Sequence, residues 1–426
     1  MIYVVIVFAI TLAIGVPIAF AIGLSGITHM FMLGDMSYFN VMVQRLIGGI
    51  NSTSIVCIPF FILAGNLMNY GGITSRLYKL IKEMVGWIKG GLAYATIIVA
   101  MILSAILGSS NAVAAILGAS IFPEMVRDGY DDDFSACLIA AGGTLGPIIP
   151  PGIGMVMMGT LCGVSVGKLF IAGIVPGIII GAAYMVVAGI YTKKRHYGKA
   201  FNKFSFKRFI KAFVSAIPAL MVPLIIVGGV IGGVFTPSEA GAVSVAAALL
   251  CGVVYREMDW KKVPKILIDT AITSAAILLI VAFGNVLGWT LVMDGIPAAL
   301  AAFMTNLTTN KTVIMLVMVA AMIVIGCFIE GFSSYLIFAP VFAAVASAAG
   351  IDLVHFSMIF IVMINIGVIT PPVGMVLFVS SNVTGTPLNK MAKTIWPFAA
   401  AATASVILLA CCEPLVTYLP NLLWGN

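Results

Sequence analysis

One short stretch, residues 142–152 (GGTLGPIIPPG), constrains the fold of this chain more than any other part of the sequence. It lies between two long apolar runs, but it cannot form a regular helix. Proline removes a backbone donor, and glycine tolerates conformations that other residues avoid. In the hydrocarbon core of a membrane every N–H and C=O needs a partner, so broken backbone survives there only when it is buried in protein or lines a wet cavity. The stretch therefore predicts a membrane helix that is interrupted at a functional position.

The same pattern occurs a second time. Residues 365–375 (NIGVITPPVGM) repeat the Gly-to-Pro-Pro spacing later in the chain. Gly129-Tyr130-Asp131 and Gly350-Ile351-Asp352 stand at equal distances before the two proline pairs. Two interrupted helices at matching places in two halves of a chain are typical of a transporter's binding site. We therefore predict two internal repeats, which we expect to be inverted, although their relative orientation cannot be deduced from the sequence.

The composition supports a membrane location. Of 426 residues, 62% are hydrophobic and only 9% are charged, whereas soluble domains carry about 25% charged residues. A span needs about 20 apolar residues, so we predict an all-α polytopic membrane protein with about 10–12 transmembrane helices, the first over Ile2–Leu24. Basic and apolar residues alternate at helical spacing over Ile73–Lys89 and Arg256–Ile272, which predicts two helices lying along the membrane surface.

Two further apolar runs end in polar residues and then resume. The run Leu92–Leu107 is followed by a polar break at residues 108–111, and the run Val313–Ile325 by one at residues 326–334. The apolar runs after these breaks are too short for ordinary spans. We therefore predict two re-entrant helical hairpins with polar tips at mid-depth.

Basic residues are concentrated in one place. Eight of the 22 Lys and Arg residues lie between Lys193 and Lys211, where there is no acid. Such loops mark the cytoplasmic side of a membrane, which predicts that loop 193–211 is cytoplasmic; contact with anionic phospholipid is a second interpretation.

Motifs for catalysis are absent. The three histidines stand far apart in the sequence and no P-loop is present, so we expect neither an enzyme nor a transition-metal site. Without an ATP site, an ion gradient is the natural source of energy, and we expect no cofactor.

Polar residues inside the apolar blocks cluster at the four breaks, and their hydroxyl, amide and carbonyl oxygens suit Na⁺. The first predicted sodium site comprises Ser109, Ser110, Asn111, Gly143, Thr144 and Gly146. The second comprises Glu330, Ser333, Ser334, Asn365, Gly367 and Thr370. An acid inside a membrane segment marks a functional site by default, although Glu330 could instead cap a helix or pair with a base. The predicted substrate-binding residues are Asn111, Pro150, Pro371, Ser380, Ser381 and Asn382.

Several motifs together resemble the large membrane subunit of tripartite ATP-independent periplasmic (TRAP) transporters. They occur in order along most of the chain: residues 58–68 (IPFFILAGNLM), 129–133 (GYDDD), 146–151 (GPIIPP), 168–173 (KLFIAG), 235–240 (FTPSEA) and 367–375 (GVITPPVGM). The resemblance implies an elevator-type, Na⁺-driven importer in a bacterial inner membrane. The substrate would be a small organic acid of the sialic acid or C4-dicarboxylate class.

The resemblance also implies partners and a division of the chain. A small membrane subunit of about four helices and a periplasmic substrate-binding protein would be separate chains. Residues 1–90 would form scaffold helices and a first arm, residues 91–190 the first transport repeat, residues 191–311 the basic loop, further scaffold and a second arm, residues 312–393 the second transport repeat, and residues 394–426 a C-terminal helix.

At the sites, Ser109 and Glu330 fall at hairpin positions where relatives carry a serine and an acid. Some relatives carry an Asp where this chain has Val113, so the first site is expected to rely more on backbone carbonyls. Two alternatives stay open at this stage. One is a stand-alone Na⁺/carboxylate symporter of similar fold that needs no binding protein, and the other is an ion channel.

Overall fold

In a computed structural model of this protein, residues 2–34, 37–52, 55–197 and 205–425 are described. The first half of this part of the chain contains twelve helices: α1 (Ile2–Ala13), α2 (Ile18–Leu33), α3 (Ser37–Ile50), α4 (Cys57–Tyr70), α5 (Ile73–Val85), α6 (Gly91–Leu107), α7 (Ser110–Ser120), α8 (Phe122–Arg127), α9 (Asp132–Gly143), α10 (Ile153–Cys162), α11 (Val166–Ala172) and α12 (Ile174–Lys194). The second half contains eleven: α13 (Phe206–Ile231), α14 (Pro237–Tyr255), α15 (Val263–Met293), α16 (Ile296–Leu307), α17 (Lys311–Phe328), α18 (Gly331–Ala348), α19 (Leu353–Gly367), α20 (Met375–Thr384), α21 (Leu388–Thr394), α22 (Trp396–Cys411) and α23 (Pro414–Trp424).

The all-helical membrane fold is confirmed, but the number of full-length spans is smaller than expected. Six helical segments in the described ranges are long and apolar enough to cross a membrane, with α11 and α12 counted as one, or seven if the bent pair α21–α22 is added. Eight further apolar helices have only 10–17 residues. The predicted 10–12 spans therefore included apolar runs that fold as shorter helices.

The first predicted span, Ile2–Leu24, is divided in two. Helix α1 ends at Ala13, and α2 begins at Ile18 directly after Pro17. Proline has no N–H to continue a helix, which explains the break. Asp35 and Met36, in the loop that follows α2, lie outside the described residues.

The two predicted surface helices have different outcomes. Helix α5 is present, and Leu77, Leu80 and Ile81 form its buried face, but it ends at Val85 rather than Lys89. The second is not a separate helix, because Arg256–Ile272 leads into the 31-residue helix α15. No glycine or proline interrupts α15 between Pro264 and Gly284, so nothing in the sequence ends the surface segment before the span begins.

Both predicted helical hairpins are confirmed as pairs of helices that run back along each other. Helix α6 turns at Gly108 and Ser109 into α7, and the chain comes back far enough for the Thr96 hydroxyl to contact Met125 Sδ at 3.6 Å. Helix α17 turns into α18, and Lys311 Nζ at the start of α17 donates to the carbonyl of Gly350 just after α18. The two ends of each hairpin therefore lie close together.

The duplication is also visible in the two broken helices. Helices α9 and α10 are separated by residues 144–152, and α19 and α20 by residues 368–374. The Pro150–Pro151 and Pro371–Pro372 peptide bonds are both cis. The second break has one additional residue, Val373, between its proline pair and the glycine that follows. The repeat then continues in the shifted register, because α10 and α20 end at Gly163 and Gly385 with φ of 68° and 71°.

The two repeats interlock. Helix α7 of the first hairpin packs against α20, and α18 of the second hairpin packs against α10. A Cβ atom added to Gly118 would lie 2.8 Å from Val383 Cγ1, and one added to Gly154 would lie 3.0 Å from Tyr335 Oη. Each hairpin is therefore held by the broken helix of the other repeat.

Ion pairs gather the basic segments at one face. Arg195 at the end of α12 pairs with Asp131 at 2.7 Å and Asp133 at 3.0 Å. On the same side, Arg208 pairs with Glu83 at 3.3 Å, linking α13 to α5. Because loops rich in Lys and Arg mark the cytoplasmic side, this is the face that we predict to be cytoplasmic. Lys199 and Lys203 of the predicted loop lie outside the described residues.

The C-terminal segment, residues 394–426, forms more than the single helix that we predicted. Helix α22 ends at Cys411, and α23 begins with Pro414 in its first turn. Proline is favoured in that position because the first helical N–H groups lack partners.

The close contact between α17 and α19 generates a prediction about stability. A Cβ at Gly326 would lie 2.9 Å from Gly367 Cα and 2.9 Å from the Ile364 carbonyl oxygen. Gly326→Ala should therefore lower the free energy of unfolding by about 1–3 kcal/mol through overpacking. The matched control is Gly228→Ala on α13, where a Cβ meets nothing within 4 Å. Thermal unfolding of the purified variants checks this, and equal midpoints would contradict it.

Candidate functional site

The tips of both hairpins meet in one small cavity. Its volume is about 20 Å³, room for roughly one water-sized sphere. The residues that line it come from both hairpins and both broken helices: Ser109, Ser110, Asn111, Pro147, Glu330, Gly331, Phe332, Tyr335, Asn365, Val368, Met375 and Val376. Side chains that we predicted in two separate sites, from Ser109 to Asn111 and at Glu330 and Asn365, therefore share one cavity.

Ser109 and Glu330 hold equivalent positions in the two repeats. The displacement along the chain that relates the two Pro-Pro pairs also relates these two residues, and each is the extended residue that precedes the second helix of its hairpin. Glu330 Oε2 accepts hydrogen bonds from the Ser333 N–H at 3.2 Å and the Ser333 hydroxyl at 3.3 Å. The helix-capping interpretation of Glu330 is thus correct, and the same carboxylate also lines the cavity.

Asn365 joins three elements at the cavity wall. Its Oδ1 accepts from the Ser110 hydroxyl at 2.8 Å, which connects α19 to the first hairpin. Its Nδ2 donates to Tyr335 Oη at 2.6 Å, which connects α19 to the second hairpin, and to the Ile361 carbonyl at 2.7 Å. Because all of these groups are buried, losing one partner leaves another unsatisfied.

One oxygen in this cavity has no partner. Asn111 Oδ1 is buried and accepts no hydrogen bond from any group in the described part of the chain. Buried polar atoms are normally paired, so an exception needs an explanation such as a bound ion or water. Together with the Ser109 hydroxyl and the Glu330 carboxylate it forms a set of hard oxygen donors with one negative charge, which fits a monovalent cation.

Glycines let the backbone of the breaks approach the hairpin tips. A Cβ at Gly146 would lie 2.5 Å from the Ser109 carbonyl carbon, and one at Gly143 would lie 2.9 Å from the Ser110 carbonyl oxygen. The start of each second half-helix is also bonded to a hairpin. Ile153 N–H donates to the Gly108 carbonyl at 3.3 Å, and Gly374 N–H to the Cys327 carbonyl at 3.4 Å.

Other predicted sodium ligands are turned towards their own elements. Thr144 donates to the Ala141 carbonyl at 2.7 Å and lies 2.8 Å from Tyr184 Oη. Thr370 donates to the Ile366 carbonyl at 2.8 Å, and Ser334 to the Glu330 carbonyl at 3.0 Å. These hydroxyls satisfy backbone carbonyls at helix ends, and they do not line the cavity.

Most of the predicted substrate residues lie elsewhere. Asn111 lines the cavity, but Ser380 donates to the Ala136 carbonyl and Ser381 to the Thr386 carbonyl, both at 2.7 Å. Asn382 is exposed. All three are near the end of α20, whereas the cavity touches that helix at its start, Met375 and Val376. Pro150 and Pro371 lie in the two breaks and do not line the cavity.

Our sequence reasoning missed Tyr335. It is 1% exposed, it lines the cavity, and it accepts a hydrogen bond from Asn365. The signal was a hydroxylated aromatic residue on the apolar helix that follows Glu330. The first repeat has no counterpart of this tyrosine, because its equivalent residue is Ala114.

Comparisons with known proteins agree with this architecture. A family model described as "Tripartite ATP-independent periplasmic transporter, DctM component" matches residues 5–415. The chain is 39% identical to a putative TRAP transporter large permease protein of Haemophilus influenzae, with 91% of both chains covered. It is 35% identical to the sialic acid TRAP transporter large permease protein SiaM of Vibrio cholerae, with 96% of both covered.

A solved structure shows the same fold. The YdaH transporter of Alcanivorax borkumensis matches with a TM-score of 0.66, covering 88% of this chain and 89% of that one. The sequence identity is 15%, so this likeness concerns the fold alone.

The bond between Tyr335 and Asn365 can be tested directly. Tyr335→Phe removes the phenolic hydroxyl, so the buried side-chain amide of Asn365 loses one of its two acceptors. This loss should lower the free energy of unfolding by about 1–3 kcal/mol. Tyr418→Phe is the matched control, because Tyr418 is 63% exposed. The thermal unfolding midpoint of the first variant should fall and that of the second should not. Equal midpoints would show that this bond contributes nothing.

Proposed function

The chain belongs to the DctM component family of tripartite ATP-independent periplasmic transporters, and from this membership we propose that it imports a small organic acid with Na⁺ as the coupling ion. Relatives are named for sialic acid, for C4-dicarboxylates and for 2,3-diketo-L-gulonate. These compounds are all organic acids. A substrate of that class for this chain is our inference from the relatives.

The observation that carries the sodium proposal is the unpartnered Asn111 Oδ1 in a cavity that also contains Ser109 and Glu330. A cation there would satisfy the amide oxygen and balance the carboxylate. It would also supply positive charge close to the substrate, which the residues lining the cavity do not provide.

We further propose an elevator movement. Residues 91–190 and 312–393 hold both hairpins and both broken helices, and their interlocked packing suits one rigid transport domain. Residues 1–90 and 191–311 would form the scaffold, which contacts the second hairpin through α15 and α16. Residues 394–426 would travel with the transport domain, because α22 packs against α12 and α19.

The proposed partners are a small membrane subunit and a periplasmic substrate-binding protein. One relative is an isethionate TRAP transporter permease protein DctMQ of Oleidesulfovibrio alaskensis, and this chain spans 64% of it at 36% identity. The rest of that relative's sequence lies outside the part that matches this chain. A small membrane subunit is therefore part of the proposed assembly in the bacterial inner membrane.

Uptake into proteoliposomes tests the proposal. The vesicles would contain this chain and its small subunit, and labelled sialic acid and succinate would be offered with and without the matching binding protein. Uptake that needs both an inward Na⁺ gradient and the binding protein is expected. Uptake without the binding protein would instead favour a stand-alone symporter, and uptake without a cation gradient would favour a channel.

A phospholipid partner is proposed at the cytoplasmic face. A cleft of about 400 Å³ between α5 and α13 is lined by five basic residues and two acids: Arg76, Lys79, Lys82, Arg208, Lys211, Glu83 and Glu257. The acids are paired with Arg208 and Arg76, so the cleft keeps an excess of positive charge. Exposed apolar side chains follow on α13, among them Phe213 and Val214. A basic pocket beside an apolar face suits an anionic lipid headgroup with its acyl chains.

Removing two of these charges should release the lipid. The double substitution Lys79→Gln and Lys211→Gln should weaken cardiolipin binding about tenfold or more, at about 1 kcal/mol for each charge near the surface. Native mass spectrometry of the purified chain measures the bound lipid. The control is Lys193→Gln with Lys194→Gln, which are exposed on the same side but do not line the cleft. Equal loss in both double variants would contradict a specific site.

Glu330 and Ser109 give the sharpest test of the sodium proposal. Glu330→Gln keeps an oxygen that can cap α18 but removes the charge, so Na⁺-driven uptake should fall at least about tenfold. Ser109→Ala should lower it as well, because a ligand oxygen is lost. Glu239→Gln is the control, since Glu239 caps α14 through Thr236 and is far from the cavity. Unchanged Na⁺ dependence in the first two variants would contradict the assignment.

A further inference from the structure

A second cavity lies between the proposed scaffold and the proposed transport domain. It has a volume of about 340 Å³ and is bordered by α3 and α15 on one side and by α10 and α18 on the other. Its polar lining includes Arg45, Ser52, Thr160 and Asn285. A cavity of this size that is bordered by two groups of helices suits a small molecule.

The cavity is on the periplasmic side. Helix α15 begins just after Lys261 and Lys262, near the Arg76–Glu257 ion pair of the cytoplasmic face. It is long enough to cross the membrane, so Trp289, close to its other end, is near the periplasm. Helix α18 lines the cavity with Leu336 and Pro340. These residues lie between the hairpin tip and the other end of α18, which we place on the periplasmic side.

Arg45 is the only charged residue among the described residues that line this cavity. It forms no ion pair with any acid in the described part of the chain. Its guanidinium carbon lies 6.0 Å from the centre of the Trp289 ring, and Tyr38 packs on the same ring at 6.0 Å. The aromatic residues hold the cation beside the cavity without neutralising it.

The second cavity and the polar centre at the hairpin tips are lined by consecutive residues of α18. Leu336 lines the second cavity, and the preceding residue, Tyr335, lines the first cavity. Helix α10, which contributes Met157 and Thr160 here, begins at the first break. A solute that comes from the periplasm would therefore meet Arg45 before it meets Glu330.

We propose that this cavity is an entry site for organic anions, in which Arg45 pairs with the carboxylate of the substrate before the substrate reaches the hairpin tips. The inference rests on the proposed function and adds to it the cation that the first cavity lacks. A guanidinium binds a carboxylate through two parallel hydrogen bonds. Because Arg45 is on α3 and not on a hairpin or a broken helix, the substrate loses this pairing when it moves on.

Uptake kinetics test the proposal. Initial rates would be measured in proteoliposomes with the small subunit, at rising concentrations of binding protein loaded with N-acetylneuraminate or succinate. Arg45→Gln should lower the maximal rate about tenfold, as expected for a lost charge-assisted hydrogen bond, and Arg45→Lys should lower it less. The half-saturating concentration of binding protein should not change.

The control is Lys168→Gln. Lys168 is a basic residue of α11 that does not line the cavity, and its Nζ donates a hydrogen bond to the Gly425 carbonyl at 3.4 Å. The uptake kinetics of the Lys168→Gln variant should match those of the wild type. A raised half-saturating concentration with an unchanged maximal rate in Arg45→Gln would assign Arg45 to docking of the binding protein and overturn the proposal. Loss of the small subunit on purification of that variant would assign Arg45 to the subunit interface and overturn it equally.

A second measurement does not depend on transport. Succinate and N-acetylneuraminate would be titrated into the purified complex of this chain and its small subunit while tryptophan fluorescence is recorded. A saturable change that disappears in both Arg45→Gln and Trp289→Phe, but persists in Lys168→Gln, is expected. A change that persists in Arg45→Gln would overturn the proposal. If the wild type showed this change without Na⁺-driven uptake, the proposed function would fail and the anion site would stand.

Discussion

The structure depends on one constraint, that broken backbone in a membrane must find its partners inside the protein. Each break is covered by a hairpin, and the N–H groups of Ile153 and Gly374 donate to carbonyls at or near the hairpin tips. The absence of side chains at Gly143, Gly146 and Gly367 permits this approach. Four interruptions therefore lie around one cavity, and several of the polar side chains at those interruptions line it.

Asn365 makes the gathered groups into one unit. It is bonded to Ser110 of the first hairpin and to Tyr335 of the second. The corresponding residue of the first repeat, Thr144, is bonded within its own half. The duplicated fold is therefore asymmetric at its centre, because only one of these two equivalent residues connects the two hairpins in the described part of the chain.

The architecture could be predicted from the sequence better than the site could. The polar breaks between apolar runs were enough to locate both hairpins, and the spacing of glycine and proline was enough to locate both broken helices and the duplication, because these features are local in the sequence. Side-chain partners such as Ser110 and Asn365 are far apart in the chain, and no local pattern encodes them.

The same limit applies to the predicted sodium ligands. Thr144, Thr370 and Ser334 were expected to face a cation, but in this structure their hydroxyls donate hydrogen bonds to nearby carbonyls. Residue type and position at a break do not determine which way a hydroxyl turns. Arg45 was not connected with the substrate at all, because its place beside the second cavity follows from tertiary packing of α3 against α15.

The measurement that tests the central claim most directly is a structure of the chain with its small subunit, determined once in Na⁺ and once in choline. A cation at the shared cavity should appear in the Na⁺ structure as density within about 2.5 Å of oxygens from Ser109, Asn111 and Glu330, a usual cation–oxygen distance. In choline this density should be absent. Density at separate positions in the two halves, or none in Na⁺, would contradict a single cation centre formed by both hairpins.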